Sequence, residues 1–134
     1  MDSSVIVSWL VQEARTPAAL SIAGQAAREG REMVCPDLVY YEVASALVSK
    51  QGLTAEAVDE SLRKLVTYRI TFVGVSLELV RDAAVLARER RVSVYDAAFA
   101  VLARAMGAEL VTGDRRLYER LNGMAGLAGL RLVE

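Results

Sequence analysis

Short apolar runs alternate with longer helical segments along the chain, and this alternation restricts the fold more than any other feature. Each run has the length of a buried strand, and the segments between runs have the apolar spacing of helices. The predicted strands are Met33–Cys35, Ile70–Val75, Glu109–Thr112 and Leu130–Val133. This order predicts an α/β fold with a short, mainly parallel sheet flanked by helices. A length of 134 residues is typical of one domain, so we expect a single domain over residues 1–134.

Capping residues mark where several helices begin and end. Thr16 precedes Pro17, as in an N-cap followed by proline at the first helical position. Ser93 is followed three residues later by Asp96, as in a capping box, and Gly107 marks the end of that helix. These signals predict helices over residues 4–14, 16–30, 36–50, 54–68, 76–90, 97–106 and 114–121. The helix over 97–106 is apolar on nearly every side, so we expect it to be buried.

The composition excludes several classes of protein. Hydrophobic residues make up 54% of the chain, which excludes intrinsic disorder. No apolar run reaches the ~18 residues of a membrane-spanning helix. The N-terminus carries no basic segment followed by an apolar stretch, so we expect no secretory signal. Cys35 is the single cysteine, which excludes an internal disulfide and favours a reducing, cytoplasmic location.

The absence of histidine restricts the chemistry that this chain can perform. It excludes Ser-His-Asp and Cys-His catalysis, and a single cysteine without histidine cannot form the usual zinc sites. Any catalysis must therefore use carboxylates, hydroxyls, lysine or arginine. The net charge of −1 predicts no strong affinity for nucleic acid from charge alone.

Four carboxylates lie where a parallel α/β fold places its ligands. Asp2 and Asp96 each precede an apolar helix, Asp114 directly follows a predicted strand, and Glu42 lies within a helix soon after one. Strands end and helices begin along one edge of a parallel sheet, and ligands bind in the crevice there. If the four converge, their repulsion raises some pKa values and favours binding of a hard divalent cation such as Mg²⁺ or Mn²⁺.

Each acid also has a purely structural interpretation. Asp96 fits the acid of a capping box, and Asp114 fits a helix N-cap. Glu42 fits a solvated helix residue, and Asp2 alone is uninformative. Only convergence of the four in space distinguishes the two interpretations, and their spacing in the sequence does not show convergence.

The pattern resembles the PIN-domain nucleases, and within them the VapC-like toxins of toxin–antitoxin pairs. The matching pieces appear in the order typical of the family and cover nearly the whole chain. They are Asp2-Ser3-Ser4-Val5 with Trp9-Leu10, Pro36 to Ala44, Tyr95-Asp96-Ala97-Ala98, and Leu110-Val111-Thr112-Gly113-Asp114-Arg115-Arg116-Leu117.

The resemblance implies a Rossmann-like PIN domain and a metal-dependent endoribonuclease, the toxin of a toxin–antitoxin pair. It implies that Asp2, Glu42, Asp96 and Asp114 bind Mg²⁺ or Mn²⁺ and carry catalysis. Ser4 and Thr112 match the hydroxyl positions that orient those acids. A metal-activated water attacks the phosphodiester, which gives products with a 5′-phosphate and a 3′-hydroxyl. The implied partners are an RNA substrate, a small antitoxin protein and a second copy of the chain in a homodimer, with no membrane.

One departure concerns the first strand. The family usually has a short apolar strand before its first acid, whereas only Met1 precedes Asp2 here. We therefore expect this strand to be truncated, because either the true chain starts upstream or the strand is lost.

Residues beside the acids are candidates for holding RNA. Arg115, Arg116 and Arg120 flank Asp114 and match the need for phosphate contacts, and the alternative is a solvated helix face with ion pairs to Glu119. Three tyrosines are candidates for base stacking, but we expect partial burial in the core instead; these are Tyr40, Tyr41 and Tyr95.

Two other functions remain open. The first is a catalytically inactive PIN-like binding module, which the truncated first strand keeps open. The second is a receiver-like phosphoacceptor, which also gathers aspartates around Mg²⁺. That fold requires an acidic pair at its first strand and a lysine in the pocket, whereas the chain has only Lys50 and Lys64 and Asp2 has no acidic neighbour.

Overall fold

Seven helices and four short strands follow one another in the computed structural model, which describes residues 1–134. The helices are α1 (Ser3–Leu10), α2 (Thr16–Glu29), α3 (Val39–Val48), α4 (Ala55–Leu65), α5 (Leu77–Arg90), α6 (Val94–Ala105) and α7 (Arg115–Leu121). The strands are β1 (Met33–Pro36), β2 (Ile70–Val73), β3 (Glu109–Thr112) and β4 (Gly129–Leu132). The α/β class predicted from the sequence is therefore confirmed. None of the helices combines the length and the apolar character needed to span a bilayer.

The strands form two parallel pairs rather than one continuous sheet. Strand β1 pairs with β2, with Met33 opposite Ile70, and β3 pairs with β4, with Glu109 opposite Gly129. A cavity of about 250 Å³ separates the pairs and is lined by residues of β1 and β3 and by apolar residues of α2 and α6. The strands are thus parallel, as predicted, but they pair only two by two.

Residues Met1 and Asp2 connect the two pairs of strands. The backbone nitrogen of Met1 donates to the carbonyl of Val34 in β1 at 3.1 Å. The N–H of Asp2 donates to the carbonyl of Val111 in β3 at 2.9 Å. As expected from the short segment before Asp2, no strand precedes α1. Asp2 is nevertheless anchored in extended backbone beside β3.

Helix α6 forms the centre of the core. Every residue from Ala97 to Ala103 is buried, and α6 packs along α5 and also contacts β1 and β3. Its start is fixed by Ser93, whose Oγ accepts the N–H of Asp96 at 2.9 Å. Just after its end, Gly107 adopts a φ of +59°, a left-handed conformation that favours glycine. The predicted burial of this helix is confirmed, and Ser93 and Gly107 lie at its two ends as predicted, but the helix begins at Val94 rather than Ala97.

Several predicted helix boundaries were wrong, and the helix predicted over 54–68 ends at Leu65. Helix α1 ends at Leu10 rather than Ala14, because the hydroxyl of Thr16 donates to the carbonyls of Ser8 and Val11 and closes the end of the helix. Pro36 does not begin a helix. It ends β1 opposite Val73, because the pairing with β2 continues into Asp37, whose N–H donates to the carbonyl of Val73 at 2.9 Å.

A charged cluster around Glu13 joins the loop after α1 to the end of α3. The carboxylate of Glu13 accepts hydrogen bonds from Lys50 and from Ser8 Oγ and lies 3.7 Å from the Nε of Arg15. Partial burial favours the neutral acid. The hydrogen bonds from Lys50 and Ser8 and the charges of Lys50 and Arg15 outweigh it, so the pKa of Glu13 is lowered from its usual value of 4.5.

This cluster predicts a pH-dependent contribution to stability. A lowered folded-state pKa means that ionised Glu13 stabilises the fold above pH 4.5, and that this stabilisation is lost as the pH falls through the lowered value. We expect Glu13→Gln to reduce the free energy of unfolding by about 1 kcal/mol at neutral pH. Urea titrations across pH measure this difference, with Glu119→Gln on exposed α7 as the control for loss of one charge. A difference that stays constant down to strongly acid pH contradicts the assignment.

Because Leu110 lies in the core, we expect that shortening its side chain lowers the free energy of unfolding considerably. Leu110 is 0% exposed in β3, so Leu110→Ala leaves a cavity and is expected to cost about 3 kcal/mol of unfolding free energy. The control is Val85→Ala in α5, where the side chain is 59% exposed. We expect this control to change stability by less than about 0.5 kcal/mol in the same urea titration. Similar losses in the two variants contradict the packing described here.

Candidate active site

Asp2 is the most firmly held carboxylate of the four predicted site residues. Its side chain is almost fully buried, with 2% exposure. One of its oxygens, Oδ2, accepts hydrogen bonds from Ser4 Oγ at 2.5 Å and from Thr112 Oγ1 at 2.7 Å. The Oδ1 atom has a longer contact of 3.4 Å with Ser3 Oγ. Asp2 therefore ties the start of α1 to the end of β3.

The hydroxyls of Ser4 and Thr112 extend this network into the loop before α7. Ser4 Oγ accepts the N–H of Gly113 at 2.8 Å, and Thr112 Oγ1 accepts the N–H of Asp114 at 3.0 Å. Both hydroxyls thus donate to Asp2 and accept from the Gly113–Asp114 backbone. The position of Asp114 is consequently coupled to that of Asp2.

Gly113 packs closely against the side chains of Arg15 and Ser4. A side chain there would collide with the guanidinium of Arg15 and would also approach Ser4 Oγ closely. The same guanidinium donates a hydrogen bond to the Gly113 carbonyl. The loop that carries Asp114 is thus held from both sides.

Asp114 and Asp96 both lie at helix N-termini, as the structural interpretation of the sequence predicted. Asp114 caps α7, because its Oδ1 accepts the N–H groups of Arg116 at 2.8 Å and of Leu117 at 3.1 Å. Asp96 lies in the first turn of α6. Burial raises the pKa of Asp96, hydrogen bonds with Ser93 oppose the rise, and the charges of Asp2 and Asp114 add to it. The capping interactions and the carboxylate cluster therefore exist together.

Glu42 lies in α3 and has the most strongly shifted carboxyl group of the site. Burial raises the pKa of Glu42 to about 7, a hydrogen bond with Ser3 opposes the rise, and the charges of Asp2 and Asp96 contribute to it. Its Oε2 atom is buried without a hydrogen-bond partner. A buried carboxylate oxygen without a partner is costly unless a cation or a ligand satisfies it.

The four predicted acids are brought together as one electrostatic group. The negative charge of Asp2 raises the pKa values of both Glu42 and Asp96. The charge of Asp114 also raises the pKa of Asp96. None of the eight ion pairs in the structure includes any of the four acids. Their negative charge is thus not compensated by a salt bridge within the chain.

This donor set fits a hydrated divalent cation. No three acid side chains lie close enough together to hold an ion directly. Mg²⁺ usually keeps several water ligands and binds through only one or two carboxylates, so direct ligation by three acids is not required. A bound cation would reduce the repulsion among the acids and give the unpaired Glu42 oxygen a partner. The site offers the hard oxygen donors that such a cation prefers.

One of the three predicted RNA-binding arginines lies beside the acids. Arg116 lines a cavity with Asp96 and Asp114. Arg115 instead forms an ion pair with Glu134. Arg120 lies near the end of α7, where its carbonyl accepts a hydrogen bond from Arg90 at 3.4 Å.

Arg91 lines the same cavity, although its sequence position predicts only the charged C-terminal end of a helix, where the helix dipole favours a basic residue. It ends α5 with a φ of +56°, a left-handed conformation that turns the chain toward Ser93. Its position two residues before the capping serine of the Asp96 helix is the signal that identifies it.

The expected burial of the three tyrosines was wrong, because even Tyr40, which packs against a neighbouring ring, is 39% exposed. Tyr40 stacks on Phe72 with ring centroids 4.5 Å apart, whereas Tyr41 is 84% exposed and Tyr95 is 64% exposed. Val39 and Val43 place the buried face of α3 toward the core. Tyr41 lies midway between them in sequence and therefore points to the opposite side of the helix.

Comparison with known proteins agrees with the fold. The model of the PIN domain family matches residues 1–122. Ribonuclease VapC3 from Pyrobaculum aerophilum is 35% identical to this chain, over 90% of the chain and 92% of the relative. The family model spans all four acids of the site, and the chain belongs to the PIN domain family.

Proposed function

We propose that this chain is a toxin-type endoribonuclease that depends on Mg²⁺ or Mn²⁺ and hydrolyses RNA phosphodiesters. The observation that carries the proposal is a group of four carboxylates that form no ion pair, in which Asp2, Glu42 and Asp96 repel one another and Asp114 repels Asp96. The name of the relative, Ribonuclease VapC3, supports RNA as the substrate. PIN domain membership supports a divalent metal as the cofactor.

In this proposal Asp2, Glu42, Asp96 and Asp114 would together hold a hydrated metal ion, with no more than two of them as direct ligands. When bound, the ion lowers the pKa of a water molecule and neutralises charge that develops on the phosphate. Ser4 and Thr112 act as positioning residues, because their hydroxyls fix the Asp2 carboxylate.

Arg91 and Arg116 are the residues best placed to hold the RNA backbone. They share a cavity with Asp96 and Asp114, so a phosphate there lies between guanidinium groups and the carboxylates. Phosphate contacts of this kind supply most of the sequence-independent affinity for nucleic acid. Arg115 and Arg120 have weaker support, because Arg115 is paired with Glu134 and Arg120 is near the far end of α7.

The receiver-like alternative has no support at the acids. It requires a lysine in the pocket, whereas the Nζ of Lys50 binds Glu13 and the Nζ of Lys64 binds Glu60. The non-catalytic PIN-like module is a possible outcome of the cleavage experiment below.

We further propose that the chain is cytoplasmic, forms a homodimer and is inhibited by a small antitoxin protein. Exposed apolar side chains near the start of α5 support a protein interface, with Val75 54% exposed and Leu77 76% exposed. The resemblance to VapC-like toxins supports the antitoxin as a partner.

RNA cleavage tests the catalytic role of the acids. With Mg²⁺ or Mn²⁺ the protein is expected to cleave single-stranded RNA to products with 5′-phosphate ends. Asp96→Asn and Asp114→Asn are expected to lower kcat about 100-fold, since each removes a carboxylate charge that holds the metal. Asparagine caps a helix as well as aspartate does, so Asp114→Asn should leave α7 intact.

The control for this experiment is Asp59→Asn, which removes an exposed carboxylate bonded only to Arg63. Its activity should equal that of the unmodified protein. Cleavage that survives EDTA or either site substitution rejects the proposed site, and a complete lack of cleavage favours the non-catalytic module.

The melting temperature tests metal binding at the acids without a measurement of activity. Mg²⁺ or Mn²⁺ is expected to raise the Tm, because a ligand at 100 times its Kd adds about 2.7 kcal/mol. Asp96→Asn should reduce this rise. In EDTA the variant should melt at or above the temperature of the unmodified protein, because it carries one fewer repelling charge.

Differential scanning calorimetry measures both effects, with NaCl at matched ionic strength as the control. An equal rise in Tm for both proteins, or the same rise with NaCl, argues against metal binding at the acids.

A further inference from the structure

A groove of about 750 Å³ runs from the acids along one side of α3. The floor contains the small residues Ser45, Ala46 and Ser49, which leave room above the helix. Glu42 lies at the end of the groove next to the other acids and belongs to both. The groove is therefore continuous with the proposed catalytic site.

Two exposed aromatic rings line this groove. Tyr41 projects from α3, and Tyr95 projects from the start of α6 on the other side. Neither ring stacks on another aromatic ring of the chain, whereas Tyr40 and Phe72 stack on each other. An exposed aromatic face gains free energy when a flat, weakly polar group covers it.

The charges in the groove exclude a phosphate and favour an uncharged ligand. No lysine or arginine lines it, and its single ionisable acid is Glu42. The guanidinium groups of Arg91 and Arg116 line a separate cavity with Asp96 and Asp114. Tyr95 and Asp96 are consecutive, yet their side chains line these two different cavities. A nucleotide that spans both can place its phosphate near the arginines and its base near the tyrosines.

We infer that this groove is a nucleobase subsite in which Tyr41 and Tyr95 stack on unpaired bases of single-stranded RNA. This inference rests on the proposed ribonuclease function and deepens it. Base stacking on aromatic side chains tolerates any sequence, because every base has a flat face. The hydroxyl of Ser49 is already used, since it donates to the carbonyl of Ser45, so stacking is the main contribution to binding. The subsite thus selects unpaired RNA over a duplex, whose bases are stacked on each other.

The test compares Tyr41→Ala and Tyr95→Ala with Tyr41→Phe and Tyr95→Phe. Each alanine variant is expected to raise the KM for a single-stranded oligouridylate about 10-fold, with kcat nearly unchanged, and each phenylalanine variant should restore the KM. Val66→Ala is the control, because it trims a side chain that is 71% exposed beyond the end of α4. Circular dichroism checks that the variants remain folded.

Binding provides a second readout that does not require cleavage. Fluorescence anisotropy with labelled oligouridylate, measured in an Asp114→Asn background, should show the same 10-fold loss for each alanine variant. A matching oligonucleotide with abasic sites should bind equally well to the variants and to the background protein.

Each outcome distinguishes the subsite from the proposed function. Cleavage by the unmodified protein with unchanged KM and Kd in both alanine variants overturns the subsite and leaves the nuclease intact. Absence of cleavage together with tyrosine-dependent RNA binding overturns the nuclease and supports the subsite. If the alanine variants instead change the oligomeric state in size-exclusion chromatography, the groove is a protein interface and the inference is wrong.

Discussion

The buried carboxylate of Asp2 is the interaction on which the rest of the site depends. It accepts hydrogen bonds from the hydroxyls of Ser4 and Thr112. These hydroxyls in turn accept hydrogen bonds from the N–H groups of Gly113 and Asp114. This network joins the start of the chain to the end of β3 and fixes the loop that carries Asp114. The repulsion among the acids opposes this arrangement, so the hydroxyl network and the core around α6 must hold together charges that would otherwise separate.

The sequence predicted the elements of the fold well where the signals are local. The serine caps at Ser76 and Ser93 define their helices, because capping depends on residues within one turn. Pro36 misled the prediction, since its fixed φ suits the end of a strand as well as the start of a helix. The division of the strands into two pairs depends on which distant segments meet, and local patterns do not contain that information.

The part of the candidate site that could be predicted is the set of acids located at strand and helix ends. Asp2, Asp96 and Asp114 lie at such ends, and the sheet edge gathers them with Glu42. Side-chain direction was not predictable in the same way. Arg115 points to Glu134 while its neighbour Arg116 faces the acids, because consecutive residues on a helix point to different sides. The exposure of Tyr41 follows the same rule, and a helical-wheel comparison with Val39 and Val43 could have found it.

The hydrogen bond between Asp2 and Thr112 joins residues 110 positions apart, and this separation has a consequence during translation. A nascent chain that has released Asp2 and Glu42 from the ribosome still lacks β3 and Asp114. Synthesis proceeds from the N-terminus at ~5–20 residues per second, so the acids stay unassembled for most of that time. A chain of this design therefore cannot complete its carboxylate group until β3 and Asp114 have been synthesised.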